Sequence, residues 1–174
     1  MISNRAEAEG LAVARRQGVP THVLQDSADP AEWRRVLEDS RAELVVLAGY
    51  LKRVPEAVVD AWRGRMINIH PALLPRHGGA GMYGRRVHQA VLASGDVASG
   101  ATVHLVTGEY DRGPILGQAR VPVVAGDTPD TLAERVLALE HRLLPAAVLA
   151  AARAGRPVPF TLEKDDDVSR VGVP

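Results

Sequence analysis

Met66-Ile67-Asn68-Ile69 runs into His70-Pro71 and then into a polar, glycine-rich stretch that closes at Gly84. The first four residues read as a buried strand. The long loop behind them falls where open α/β sheets place ligands, outside the carboxyl ends of their strands. Upstream, Leu44-Val45-Val46-Leu47-Ala48 is a continuous apolar run closed by Gly49. Such a run predicts a parallel strand with helices covering both faces. Between the two runs Pro55 opens a short helix to about Trp62. Nearer the start, Glu7 to Gln17 is amphipathic, with Gly18 where a C-terminal cap belongs, and Val19 to Leu24 is a short extended run. Asp29-Pro30-Ala31-Glu32 supplies an N-cap, a first-turn proline and a capping-box acid, which predicts a helix to about Ala42.

Downstream, Arg86 to Ala93 reads as a helix ended by Gly95. Thr102 to Thr107 and Ile115 to Val123 then read as strands, with Asp111-Arg112-Gly113 as the turn between them. Two strands that meet without a helix between them predict antiparallel pairing. Thr128-Pro129-Asp130 caps the longest helix, which carries Leu132, Val136, Leu139 and Leu143 on one face and a proline, Pro145, that predicts a kink. Glu163 to Asp167 reads as a solvated strand end. The predicted class is α/β: a Rossmann-like, mostly parallel sheet flanked by helices, with an antiparallel C-terminal part. No repeat or linker is visible, so residues 1–174 read as one domain.

Composition narrows the function. Apolar residues are 46% and charged residues 24%, an ordinary globular balance that excludes disordered and collagen-like chains. Zero cysteines exclude disulfides, zinc–thiolate sites and thiol nucleophiles. No run approaches the roughly 20 apolar residues of a membrane span. No apolar stretch follows a basic start, so neither a membrane partner nor a signal peptide is expected. Charge is balanced at 21 basic against 21 acidic residues and aromatics are only 3%, which argues against a nucleic-acid partner. Of the basic residues only Lys52 and Lys164 are lysines, a bias that suggests a GC-rich, bacterial genome.

Asn68 and His70 are two apart on a strand, so both leave the same face. An asparagine can donate an amide N–H to a developing oxyanion, and a histidine can shuttle a proton near neutral pH. Spacing alone favours the plainer reading, a histidine that caps a strand end. Asp111 is either a carboxylate that approaches His70 and raises its pKa or an ordinary turn former before Gly113-Pro114. His104 reads as a satisfied core histidine, and His88, Glu140 and His141 as exposed helix positions. The six histidines lack zinc-helix spacing, so no metal is expected.

Taken together, Asn68-Ile69-His70-Pro71-Ala72-Leu73-Leu74-Pro75, Gly100-Ala101-Thr102-Val103-His104 and Asp111-Arg112-Gly113-Pro114-Ile115-Leu116-Gly117-Gln118 resemble, in order, the motifs of the folate-dependent formyltransferases. Ile2-Ser3-Asn4-Arg5, Leu47-Ala48-Gly49-Tyr50, Val121-Pro122-Val123, Gly126-Asp127-Thr128 and Glu140-His141 extend the likeness over nearly the whole chain. It is most similar to the purine-biosynthetic branch, the phosphoribosylglycinamide formyltransferases, and less so to the branch that acts on methionyl-tRNA.

The resemblance implies the formyltransferase fold and transfer of a formyl group from 10-formyltetrahydrofolate, a co-substrate, to the amine of glycinamide ribonucleotide. It implies Asn68, His70 and Asp111 as the catalytic residues. Folate contacts would come from Leu51, Lys52, Arg53, Val54, Asn68, Thr107, Gly108, Glu109, Tyr110 and Asp111, and substrate contacts from Glu140 and His104. A cytoplasmic monomer or homodimer with small-molecule partners is expected. Three departures stand out. The strand and glycine- and serine-rich loop with which the family begins, and which holds the ribonucleotide phosphate, has no counterpart before Arg5, so the folate side is expected to be the more complete. The family's Met-Arg pair reads Leu51-Lys52, and Pro30-Ala31 stand where an arginine is common. The alternatives are a formyltetrahydrofolate deformylase, against which Pro71 argues because that branch usually has a second histidine there, and a non-catalytic folate-binding remnant.

Overall fold

The computed structural model describes residues 1–162, so the acidic stretch from Glu163 to Asp167 lies outside the described residues. In chain order the elements are β1 (Ile2–Ser3), α1 (Glu9–Arg16), β2 (His22–Val23), α2 (Pro30–Asp39), β3 (Val45–Leu47), α3 (Glu56–Ala61), β4 (Met66–His70), α4 (Arg85–Ala93), β5 (Ala98–Leu105), β6 (Ile115–Pro122) and α5 (Pro129–Ala154). They fall into two compact units. Residues 1–43 and 50–62 form the first, and, among the described residues, 44–49 together with 63–162 form the second.

In the first unit β1 and β2 pair in parallel, Ile2 opposite His22 and Ser3 opposite Val23. The α2 cap forms as the sequence predicts: the Asp29 carboxylate accepts the N–H groups of Ala31 and Glu32 at 2.8 and 3.3 Å. The reciprocal half of the capping box does not form. The Glu32 carboxylate instead takes the N–H groups of Gln25 (2.9 Å) and Asp26 (3.1 Å) and meets His22 Nε2 at 3.0 Å. Three donors, His22 on β2 and two N–H groups in the loop after it, outcompete the single N–H at the cap. Those bonds, His22 first, hold Glu32 down at about 2. The helix stops at Asp39, three residues short of the expected end, because Arg41 turns out through φ 51° and Ala42 N–H closes on Leu37 O at 2.9 Å.

The second unit is a four-stranded sheet in the order β3-β4-β5-β6. β3 and β4 are parallel; β4–β5 and β5–β6 are antiparallel, so the antiparallel C-terminal part that the sequence predicts is present, and within this mixed sheet antiparallel pairings outnumber the parallel one. β3 is only three residues long and lies at this sheet's edge. Its Val45 is buried but Val46 is 37% exposed, so β3 is not covered on both faces as its apolar run suggested. The core gathers Ile67 from β4, Val91 from α4, Ala101 and Val103 from β5, Leu116 and Val121 from β6, and Leu132, Val136, Leu143 and Ala147 from α5. Thr128 and Thr131 close a reciprocal capping box at the start of α5. That helix runs through Pro145 to Gly155, whose φ of 68° ends it. Among the described residues, no helix is long and apolar enough to cross a membrane.

One buried hydroxyl ties the segment after β4 to β5. Thr102 Oγ1 donates to Ala72 O at 2.6 Å and accepts Leu74 N–H at 3.1 Å and Gln118 Nε2 at 2.9 Å. Gln118 also donates to Leu74 O at 2.9 Å. Thr102 is fully buried, so Thr102→Val keeps the volume but strands these partners without water. We expect the variant to lose about 1–3 kcal/mol of stability, read by urea unfolding.

Candidate active site

The β4–β5 ladder sets Asn68 opposite His104 and His70 opposite Thr102. Across the first pair, Asn68 Nδ2 lies 3.1 Å from His104 Nε2. His104 Nδ1 is 2.8 Å from the Leu105 carbonyl, so that nitrogen carries the proton and Nε2 accepts the Asn68 amide. Asp111 enters from the β5–β6 loop. Its Oδ1 is 3.5 Å from His104 Nε2, its Oδ2 is 3.5 Å from His70 Nδ1, and Oδ2 accepts Gly79 N–H at 2.9 Å. His70 Nε2 is 2.8 Å from the His77 carbonyl and donates to it. Asn68, His70, His104 and Asp111 thus form one continuous polar cluster. His70, His104 and Asp111 are nearly buried within it.

The backbone pays local strain for this arrangement. Asp111 sits at φ 54°, a left-handed conformation that aspartate tolerates better than most residues. Two glycines make the approach possible. A Cβ on Gly113 would lie 1.7 Å from the Leu105 carbonyl oxygen, and one on Gly78 would lie 3.1 Å from Asp111 Cβ.

Burial is the largest influence on His70 and pushes it below its ordinary 6.5; Asp111 and the His77 carbonyl push the other way, and His104 and His77 push down. The net shift is downward. The expected upward push from Asp111 is present, but desolvation outweighs it. On Asp111 burial is the largest influence and acts upward, while the neighbouring His104 ring, the Gly79 N–H and the neighbouring His70 ring together bring the carboxyl below its usual value. The chemistry available is that of a neutral imidazole beside an ionised carboxylate, with an amide donor alongside.

The remaining predicted residues are placed as follows. Thr107 to Tyr110 form the exposed loop that leads into Asp111, where Thr107 Oγ1 donates to Glu109 O at 3.3 Å. Glu140 is partly buried on α5, not exposed as a surface helix position would be, and burial raises its pKa. His88 is also misplaced by the sequence reading: it is 5% exposed on α4, and its Nδ1 has no partner among the described residues. Leu51, Lys52, Arg53 and Val54 belong to the first unit. There Leu51 is exposed, Val54 is buried, and Lys52 Nζ donates to Ser27 Oγ at 3.1 Å. No cluster of three or more histidine or carboxylate side chains suited to a metal ion occurs among the described residues. The sequence reading missed the His77 carbonyl and the Gly79 N–H, because backbone groups leave no signature in residue type. Gly78 was the available signal, a glycine demanded by close approach.

The formyl transferase family model matches residues 1–148, a span that contains every member of the cluster. The chain belongs to the formyl transferase family. Within it, the chain is similar to the chloroplastic phosphoribosylglycinamide formyltransferase of Arabidopsis thaliana, at 46% identity over 150 residues, 82% of this chain and 51% of that protein. The phosphoribosylglycinamide formyltransferase of Escherichia coli strain K12 is 38% identical over 154 residues, 85% of this chain and 70% of that protein. The crystal structure of phosphoribosylglycinamide formyltransferase from Anaplasma phagocytophilum superposes with a TM-score of 0.81 at 40% identity, covering 88% of this chain and 73% of that one. The chain spans about half the length of the plant formyltransferases it matches. The mixed α/β architecture described above is therefore the formyltransferase fold.

His70 and His88 both have pKa values lowered by burial. Below about pH 6.5 the unfolded chain takes up protons that the folded chain resists, so these two groups leave stability whole above that pH and erode it as pH falls. We expect His88→Leu to flatten the decline in unfolding free energy between about pH 6.5 and pH 5, by up to ~1.4 kcal/mol per pH unit. Urea titrations at several pH values check this.

Proposed function

We propose that this chain transfers the formyl group of 10-formyltetrahydrofolate to the primary amine of phosphoribosylglycinamide, a step of purine biosynthesis. The observation that carries the reading is the convergence of Asn68, His70 and Asp111, residues from a strand end and a distant loop, within the family match. The names of the similar proteins favour this acceptor amine. The chain is read as a single formyltransferase domain. A cytoplasmic, bacterial protein, monomeric or homodimeric, remains our reading of the sequence; the plant relative is named as chloroplastic.

The amine nitrogen attacks the formyl carbon and the formyl oxygen becomes an oxyanion. Asn68 gives one amide N–H to His104 and keeps a second for that oxygen, in a site shielded from bulk water where such a donor is strongest. His70 has spent Nε2 on the His77 carbonyl, which leaves Nδ1, facing Asp111, to take up a proton. The amine loses its proton to His70, and the imidazolium is held by the Asp111 carboxylate. Collapse of the intermediate breaks the bond from carbon to the folate nitrogen, and His70 returns the proton to that nitrogen. No net proton is gained or lost. The depressed pKa keeps His70 unprotonated and ready at neutral pH. Thr107 to Asp111 offer backbone groups to the folate, and the raised Glu140 carboxyl is the group we assign to the acceptor amine.

His70→Ala and Asp111→Asn should each lower turnover by about 10²–10⁴-fold, and the double variant should lose less than the product of the two. Steady-state formyl transfer with both substrates measures this. Turnover within a few-fold of the parent in both single variants would reduce the cluster to a structural role.

A further inference from the structure

The loop between β4 and α4 holds both members of the His70–Asp111 pair by backbone groups: His77 O takes the His70 Nε2 proton and Gly79 N–H binds Asp111 Oδ2. That loop is anchored at its other side. The His77 ring donates from Nε2 to Asp96 Oδ2 at 2.7 Å, and Arg76 Nη1 reaches Asp96 Oδ1 at 2.7 Å. Asp96 follows Gly95, whose φ of 72° carries the chain out of α4, and lies two residues before β5. The Asp96 and His77 side chains are only 14% and 13% exposed, so this bond is shielded from solvent in a way that the Arg76 contact, with Arg76 63% exposed, is not. His77 itself is held at φ 54°, a conformation that costs a non-glycine residue energy unless its surroundings enforce it. Two side chains meet the His77 Nε2: Asp96 at 2.7 Å and, more distantly, the Ser94 hydroxyl at 3.5 Å, so the Asp96 bond is the shorter and charge-assisted restraint on this residue.

We propose that Asp96 is a positioning residue: by clamping the His77 side chain it aims the His77 carbonyl at His70 Nε2 and so selects the tautomer that leaves Nδ1 to Asp111. Nothing in this requires Asp96 to meet a substrate. The proposal rests on the proton-shuttle reading of His70, yet its physical part, the tautomer, can be read without turnover. A carbonyl accepts only from a protonated nitrogen, so a fixed His77 carbonyl makes Nε2–H the lower-energy form of neutral His70. When the loop is freed, the ring loses that bias and both tautomers become populated.

The test compares the 174-residue parent with Asp96→Ala, Asp96→Asn and His77→Asn. Asparagine at 96 retains an oxygen for the His77 N–H, and asparagine at 77 tolerates the left-handed backbone while its short side chain gives up the imidazole bond to Asp96. Long-range nitrogen–proton correlation spectra report the His70 ring tautomer. A pH titration of the same signals covers the groups that surround it: Asp111, His104, His77 and His88. We expect a single Nε2–H form in the parent, a tautomer mixture in Asp96→Ala and in His77→Asn, and a near-parental spectrum in Asp96→Asn. In formyl transfer, kcat should fall roughly tenfold or more in the first two variants, with KM for both substrates changed little. An unchanged His70 spectrum in folded Asp96→Ala or His77→Asn overturns the clamp. If the tautomer shifts while His70→Ala is fully active, the clamp stands and the proton-shuttle reading falls. If Asp96→Ala does not fold, the His77→Asn spectrum decides.

Discussion

The antiparallel register of β4 on β5 is the constraint on which the site depends. Because strand side chains alternate, a one-residue slip would send Asn68 and His70 to the opposite face. Two independent features hold the register. Ile67 and Val103 are both fully buried in the core on the other face, and the Thr102 hydroxyl is bonded to the segment that leaves β4. The same threonine that stands opposite His70 thus fixes the direction in which the chain departs from it. Fold stability and site geometry are therefore drawn from one set of contacts, all of them inside the second unit.

Electrostatics in the cluster is a contest between burial and bonding, and the two residues resolve it differently. Asp111 receives a backbone N–H and stands beside two imidazoles, enough to keep a buried carboxylate ionised. His70 is more deeply buried and has a single close acceptor, so desolvation prevails and the neutral ring is favoured. Opposite outcomes for neighbouring groups give the pair a standing charge difference. A proton arriving on His70 is then stabilised by an anion already in place, with no solvent reorganisation.

Much of this was legible from residue order. The continuous apolar run at β4, the polar residues at its end and the hairpin-like passage from β5 to β6 predict the mixed sheet and place Asn68 and His70 on a common face. Asp111 was different: its turn chemistry was as good an explanation as catalysis until a resemblance across several motifs was added. What stayed hidden were long-range side-chain choices. Glu32 fitted a local cap rule, but the β2–α2 loop offered it more donors. His88 looked like a surface position because one residue on a helix carries no record of which neighbour covers it. The His77 carbonyl was invisible because every residue except for its neighbours' geometry offers the same group.

The backbone at Asp111 restricts the chain's future as well as its shape. At φ 54° the position accepts glycine, asparagine and aspartate with least strain. In the proposed mechanism, charge stabilisation of His70 needs a carboxylate, which glycine and asparagine lack and which glutamate supplies only with backbone strain and an added methylene beside Gly78. Only one of the twenty residue types satisfies both demands. Drift at this position is therefore closed off from two directions, and a homologue that had changed it would have had to rebuild the turn, the chemistry or both.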